Sequence, residues 1–259
     1  MRFAIALLVL FSAAHHATAV CLFEGALIGA LHKAAGTPDD SRLAGFAPIE
    51  RITVLAADGT KLRGFMLPAA TPGPRRTLLV AQGDAMLADQ MLPLLQRFRN
   101  AGFDTLVFDF RGFGRSDGAS SIAAIASDYE DIIQHIRRAY PGPRYYYAIS
   151  GGGVVLMHAL RVDPEHAGVV IDATPTRLPI FCRKSYYPIE NVPASASHIL
   201  LIQGRRDEAV PPQDSDRLAK KIRDRKGKSV VLDVDHPVPV PGADLNARVS
   251  ATLAFFEGL

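Results

Sequence analysis

Short, wholly apolar runs alternate along this chain with stretches in which apolar residues return every three or four positions. The runs Thr77–Ala81, Thr105–Asp109, Tyr145–Ile149, Gly168–Asp172, His198–Ile202 and Ser229–Asp233 have the length and continuity of strands covered on both faces. Between them, Leu87, Met91, Leu94, Leu95 and Phe98 recur at helical spacing before Asn100 and Gly102. Ile122, Ile125, Tyr129, Ile132, Ile133 and Ile136 trace a second helix face, Val154 to Leu160 a third, and Leu245, Val249, Leu253 and Phe256 a closing one. Ahead of this series, Arg51–Ala56 and Leu62–Leu67 are joined through Asp58 and Gly59, which suit the positive φ angles of a hairpin turn. The pattern predicts an α/β fold: a mostly parallel twisted sheet, helices on both faces and an antiparallel N-terminal hairpin.

The first residues follow another logic. Arg2 precedes an apolar run from Phe3 to Phe11, and Ala17 and Ala19 are small enough for a signal peptidase. The expected organisation is a leader over residues 1–19, an N-terminal extension over 20–48 and one α/β domain over 49–259, with the mature protein exported to the periplasm or secreted. An uncleaved anchor or a buried N-terminal helix stays open. Membrane contact is expected only if the N-terminus is uncleaved or lipidated at Cys21, and Val20 is large for the residue before a lipidated cysteine. Cys21 and Cys182 are the two cysteines; they form one bridge or remain two thiols. The modest net charge of +3 and the single basic cluster, Lys220 to Lys228, lacking interleaved aromatics, argue against a nucleic-acid partner.

Reactive groups in such a sheet sit at the carboxyl ends of strands. Ser116 lies in a literal G-x-S-x-G, Gly114–Gly118, but seven residues beyond the strand ending at Asp109, in a glycine-rich loop, and reads as a turn residue. Ser150 instead follows a strand directly and precedes Gly151, Gly152, Gly153 and a helix, the strand–turn–helix order of a nucleophile elbow. The motif is A-x-S-x-G, with Ala148 in place of the usual first glycine. A serine hydroxyl needs a base held by an acid, and the elbow architecture sets the order Ser, acid, His. Asp207 and His236 each follow a later strand and complete the candidate triad; Glu208 is the alternative acid. The backbone N–H of Gly151 would face an oxyanion.

Residues 49–259 resemble the α/β-hydrolase superfamily. The resemblance is carried by Asp58–Leu62, by Phe108–Gly118, which is similar to the D-x-R-G-x-G-x-S loop of that superfamily, and by Leu201–Pro211, similar to its acid loop. It implies that Ser116 is structural, favours Asp207 over Glu208, and makes the backbone N–H of Asp84 the second oxyanion donor. Two positions depart from the pattern. Gln82-Gly83-Asp84 stands where His-Gly is usual, and an ionised Asp84 beside an oxyanion would oppose it, so either Asp84 points away or the site is slow or specialised. Asp235 stands where a small residue commonly precedes the histidine. The implied activity is a serine hydrolase acting on a small-molecule carboxylic ester, without metal or organic cofactor. A peptidase or thioesterase using the same triad, and a binding protein on the same fold, are the alternatives. The stretch from Asp172 to His198 is too short for a folded cap; Phe181, Tyr186 and Tyr187 are expected to help line the pocket.

Overall fold

The computed structural model of the protein describes residues 20–71, 73–178 and 182–259. The expected leader, residues 1–19, lies outside them. The chain runs α1 (Glu24–Ala35), β1 (Glu50–Leu55), β2 (Lys61–Leu67), β3 (Thr77–Ala81), α2 (Leu92–Asn100), β4 (Asp104–Phe108), α3 (Ile122–Ala139), β5 (Arg144–Ile149), α4 (Gly151–Ala159), β6 (Gly168–Asp172), β7 (Ile199–Gly204), α5 (Pro212–Asp224), β8 (Lys228–Leu232) and α6 (Ala243–Glu257).

The eight strands form one sheet in the order β1-β2-β4-β3-β5-β6-β7-β8. β1 pairs antiparallel with β2, and β2 antiparallel with β4; every later pair is parallel. The Asp58–Gly59 turn closes the opening hairpin with Gly59 at φ 83°, a left-handed value that its missing Cβ permits. All residues of β3, β4, β6 and β7 are buried, which is why these strands read as unbroken apolar runs.

Alternate residues of the same strands feed two cores. Leu79, Ala81, Tyr146, Ala148, Val169 and Ile171 pack on one face against Ile125, Ile132, Val155, Leu156, Leu218 and Ile222 of α3, α4 and α5. Leu78, Val80, Tyr147, Ile149 and Val170 pack on the other against Leu95, Phe98, Leu245 and Phe256 of α2 and α6. The parallel register sets Ala81 beside Ala148 and Ile149 beside Asp172, so β3, β5 and β6 end at one level. The loops leaving that level carry every residue singled out as a site candidate.

The structure differs from the sequence expectations in places. The helix expected from Leu87 begins as a 3₁₀ turn, Ala88–Met91, before α2 takes over with Pro93 in its first turn. β7 extends to Gly204. The basic cluster lies along the end of α5 and the start of β8, where Lys220 pairs with Asp224 at 2.6 Å and Lys221 donates to the carbonyl of Ile189 at 2.6 Å. Helix α1 was absent from the sequence reading. Cys21 and Cys182 form a disulfide, joining the segment before α1 to the loop after β6.

The loop that resembles D-x-R-G-x-G-x-S is held by buried polar contacts. Arg111 Nε donates to Asp128 Oδ2 at 2.7 Å, a second Arg111 N–H donates to Asp128 Oδ1, and Arg111 Nη1 reaches Asp58 at 2.8 Å. Burial raises the Asp128 carboxyl to about 6 although Arg111 opposes the shift. Arg111→Ala would leave that carboxylate without its cation, at an expected loss of about 3–5 kcal/mol in urea unfolding at pH 8. The loss should be smaller at pH 5, where Asp128 can take up a proton.

Candidate functional site

Ser150 stands between β5 and α4 with φ 50° and ψ −118°. These are strained angles for a residue with a side chain, and they turn the chain sharply from strand to helix. Two hydrogen bonds hold the turn: Ser150 N–H donates to the carbonyl of Asp172 at 2.8 Å, and Gly153 N–H to the carbonyl of Ser150 at 2.9 Å. Gly152 makes the turn possible, since a Cβ there would lie 2.3 Å from the carbonyl oxygen of Gln82 and 2.6 Å from that of Ala81. α4 therefore starts one turn earlier than its apolar spacing implied, at Gly151.

His236, in the loop after β8, directs Nδ1 at both carboxylate oxygens of Asp207, at 3.0 and 2.9 Å. Asp207 is 3% exposed and its Oδ1 also accepts the N–H groups of Ala209 and Val210 at 2.9 and 2.7 Å. A carboxylate fixed in this way selects the tautomer with hydrogen on Nδ1 and leaves Nε2 as the available ring nitrogen. Glu208 is exposed and takes no part. Ser150 and His236 line one cavity, together with Gly151 and Asp84. No hydrogen bond joins Ser150 Oγ to the imidazole; the two side chains share the cavity wall. The N–H groups of Gly151 and Asp84 have no acceptor among the described residues, so both can donate to a bound oxygen.

Asp84 does not point away. Its carboxylate packs against Gly151, where a Cβ would fall 1.5 Å from Oδ1. Burial raises this carboxyl to about 6, against the opposing pull of His236. Asp235, the other departure, is turned outward: it pairs with Arg206 at 2.9 Å and stays exposed. Ser116 is a structural residue, its Oγ donating to the carbonyl of Asp109 at 2.7 Å and accepting the Arg63 N–H at 2.9 Å.

Behind the site lies a buried ionic group that sequence reasoning missed. Asp172, at the end of β6, accepts Arg248 Nε at 2.8 Å and the Tyr147 hydroxyl at 2.5 Å on Oδ2, while its Oδ1 has no hydrogen-bond partner among the described residues. Arg248 also donates to the carbonyl of Asp235. One arginine on α6 thus ties the strand end that anchors Ser150 to the loop that carries His236. The pairing of an arginine in an otherwise amphipathic α6 with an aspartate closing an apolar strand was the available signal. Tyr186 and Tyr187 do not line the cavity as expected: Tyr186 stacks on His158 and Tyr187 packs against Val20 and the disulfide. Phe181 lies outside the described residues. The cover comes instead from α1, through Leu27, Ile28 and Leu31, with Pro175 and Leu178.

An eight-stranded sheet of this order, with a strained serine after β5 and an aspartate–histidine pair after β7 and β8, is the fold of the α/β-hydrolases. The comparisons agree. The model of the serine aminopeptidase S33 family of hydrolases matches residues 72–183. YfhR of Escherichia coli strain K12 is 29% identical over 208 residues, 72% of this chain and 73% of that protein. Among solved structures, Pyrococcus furiosus esterase Pf2001 superposes with a TM-score of 0.66 at 18% identity, covering 81% of this chain and 92% of that one. XC6422 from Xanthomonas campestris, described as an α/β serine hydrolase without lid, gives 0.65 at 20% identity over 82% and 95% of the two chains. These likenesses show that the chain has the α/β-hydrolase fold.

The raised Asp84 carboxyl has a consequence for stability. Its contribution is complete below the unfolded value near 3.8 and is lost as pH rises through about 6, because the folded site resists the charge. Asp84→Asn should therefore stabilise the protein by about 1–2 kcal/mol at pH 8, allowing for the solvent contact this group keeps, and by nothing measurable at pH 4. Urea unfolding at the two pH values checks this.

Proposed function

We propose that the protein is a serine hydrolase that cleaves a carboxylic ester through an acyl-enzyme. The observation that carries the reading is the strained Ser150 sharing a cavity with an imidazole whose Nδ1 is held by a buried carboxylate. In the proposed mechanism Ser150 Oγ attacks the ester carbonyl carbon and His236 Nε2 takes the hydroxyl proton. Asp207 orients the ring and stabilises the imidazolium. The N–H groups of Gly151 and Asp84 receive the oxyanion, helped by the N-terminus of α4. The tetrahedral intermediate expels the alkoxide, which leaves as an alcohol with the proton from His236. Water, deprotonated by the same nitrogen, then attacks the acyl-enzyme, and its collapse releases the acid and restores Ser150. Each proton removed is returned, so no further reactant is required. The esterase among the structural neighbours supports the choice of ester. A peptidase reading is favoured by the aminopeptidase family model and by Asp84, a carboxylate placed where a substrate amine could pair with it. We further propose export of the protein, on the support of its disulfide.

A fluorophosphonate probe should label the wild type and fail on Ser150→Ala, whose kcat/KM on p-nitrophenyl esters should fall at least about 1000-fold. Equal labelling of the two would sink the proposal. A panel of esters, acyl thioesters and peptide amides separates the esterase from the peptidase and thioesterase readings.

Asp84 sets the pH dependence. Ionised, it stands against the developing oxyanion; protonated, it does not. Asp84→Asn should raise kcat/KM roughly tenfold at pH 8 and leave it nearly unchanged at pH 5, where the wild-type carboxyl is already neutral. A pH–rate profile of both proteins measures the effect.

A further inference from the structure

The cavity at Ser150 has a volume of about 560 Å³, within the range of sites that enclose a whole small molecule. Its polarity is divided. Asp84, Ser150 and His236 supply the polar side chains among the described lining residues, and all three belong to the reacting end. The remainder is apolar: Leu27, Ile28 and Leu31 of α1 line it together with Phe110, Phe113 and Val155. A chamber this size is larger than an acetyl or methyl group requires.

The apolar side is roofed by α1, and α1 is fastened at both ends. At its start, the buried Glu24, 3% exposed, accepts the N–H groups of Val20, of Cys21 at 3.1 Å and of Ile122 at the start of α3. The Cys21–Cys182 disulfide and the Arg183 N–H on the carbonyl of Val20, at 2.9 Å, join the same point to the loop after β6. At its end, Gln90 Nε2 donates to the carbonyl of Ala35 at 3.0 Å. Between these points the roof meets the body through apolar side chains, and much of α1 is solvent-exposed.

We propose that α1, clasped by Cys21–Cys182, roofs a subsite for an apolar alkyl chain, so that the substrates are esters carrying a medium-length chain and selectivity for that chain depends on the disulfide. This rests on the hydrolase reading above. The chain enters from the ester bond held at Ser150 and lies between Leu31 and Val155. Burying each methylene is worth roughly a fourfold gain in binding, enough for chain length to dominate selectivity. The alkyl chain belongs either to the acid or to the alcohol of the ester; both present the same surface to the roof.

Two substrate pairs distinguish these sources: p-nitrophenyl octanoate against p-nitrophenyl acetate, and octyl acetate against methyl acetate. The oxidised wild type should prefer the longer member of one pair at least tenfold in kcat/KM. That ratio should fall at least fivefold in Cys21→Ser/Cys182→Ser and, with the disulfide intact, in Leu31→Asn. Ratios near one for both pairs in the wild type overturn the subsite, as does a ratio that survives in both variants. Fluorophosphonate labelling of Ser150 is run beside them. Labelling with a flat chain-length profile rejects the roofed subsite alone, whereas no labelling and no ester turnover rejects the hydrolase reading with it.

Discussion

The start of α4 lies so close to the end of β3 that no side chain fits between them. Gly152 meets the carbonyl oxygens of Ala81 and Gln82 almost at contact, and the rest of the site is arranged by that approach. It forces the chain through the strained angles of Ser150, which the hydrogen bond to the Asp172 carbonyl then holds. It also brings the loop after β3 against Gly151. The N–H groups of Gly151 and Asp84, without an acceptor among the described residues, become neighbours of one cavity for the same reason, and the half-buried Asp84 carboxylate is pressed against Gly151. The strained turn at Ser150, the two N–H groups facing one cavity and the altered acidity of Asp84 are three results of a single steric fact.

Buried charge secures the frame around that contact. Arg248 and Asp172 are almost fully enclosed, an arrangement whose worth lies in direction more than in net stability. A guanidinium shared between the end of β6 and the carbonyl of Asp235 relates the serine turn to the histidine loop, which otherwise belong to separate strands. Arg111 does similar work at the other end of the sheet, joining the opening hairpin, through Asp58, to α3, through Asp128. Arg206 gathers Asp233, Asp235 and Asp244 outside the site and so keeps the acid beside His236 away from the imidazole.

Much of this was legible in the sequence, for identifiable reasons. Strands covered on both faces tolerate few polar residues, so β3 and β6 announce themselves with both ends in place, and β4 with its ends displaced by one position. The order Ser150, Asp207, His236 follows from strands whose carboxyl ends share one edge; Ser150 and His236 line one cavity, and Asp207 is hydrogen-bonded to the imidazole behind it. The direction of the Asp84 side chain was not legible, since it depends on a residue 67 positions away across the sheet. Nor was α1: Leu27, Ile28 and Leu31, which line the cavity, have helical spacing, but a turn-and-a-half of apolar residues on a largely exposed helix says nothing about what it covers. Only the contacts of Glu24 and Cys21 with distant segments decide that.

Those contacts are long-range in the chain. Glu24 is joined to a residue 98 positions on, and Cys21 to one 161 positions on. α1 rests on segments far along the chain: Gln90 holds Ala35, Ile122 holds Glu24, and the loop after β6 holds Cys21. The sheet and its serine turn are complete without that helix, but the chamber above them is not. Enclosure of the chamber is therefore a property of contacts distant in the chain, whereas the serine turn is held by the ends of its own neighbouring strands.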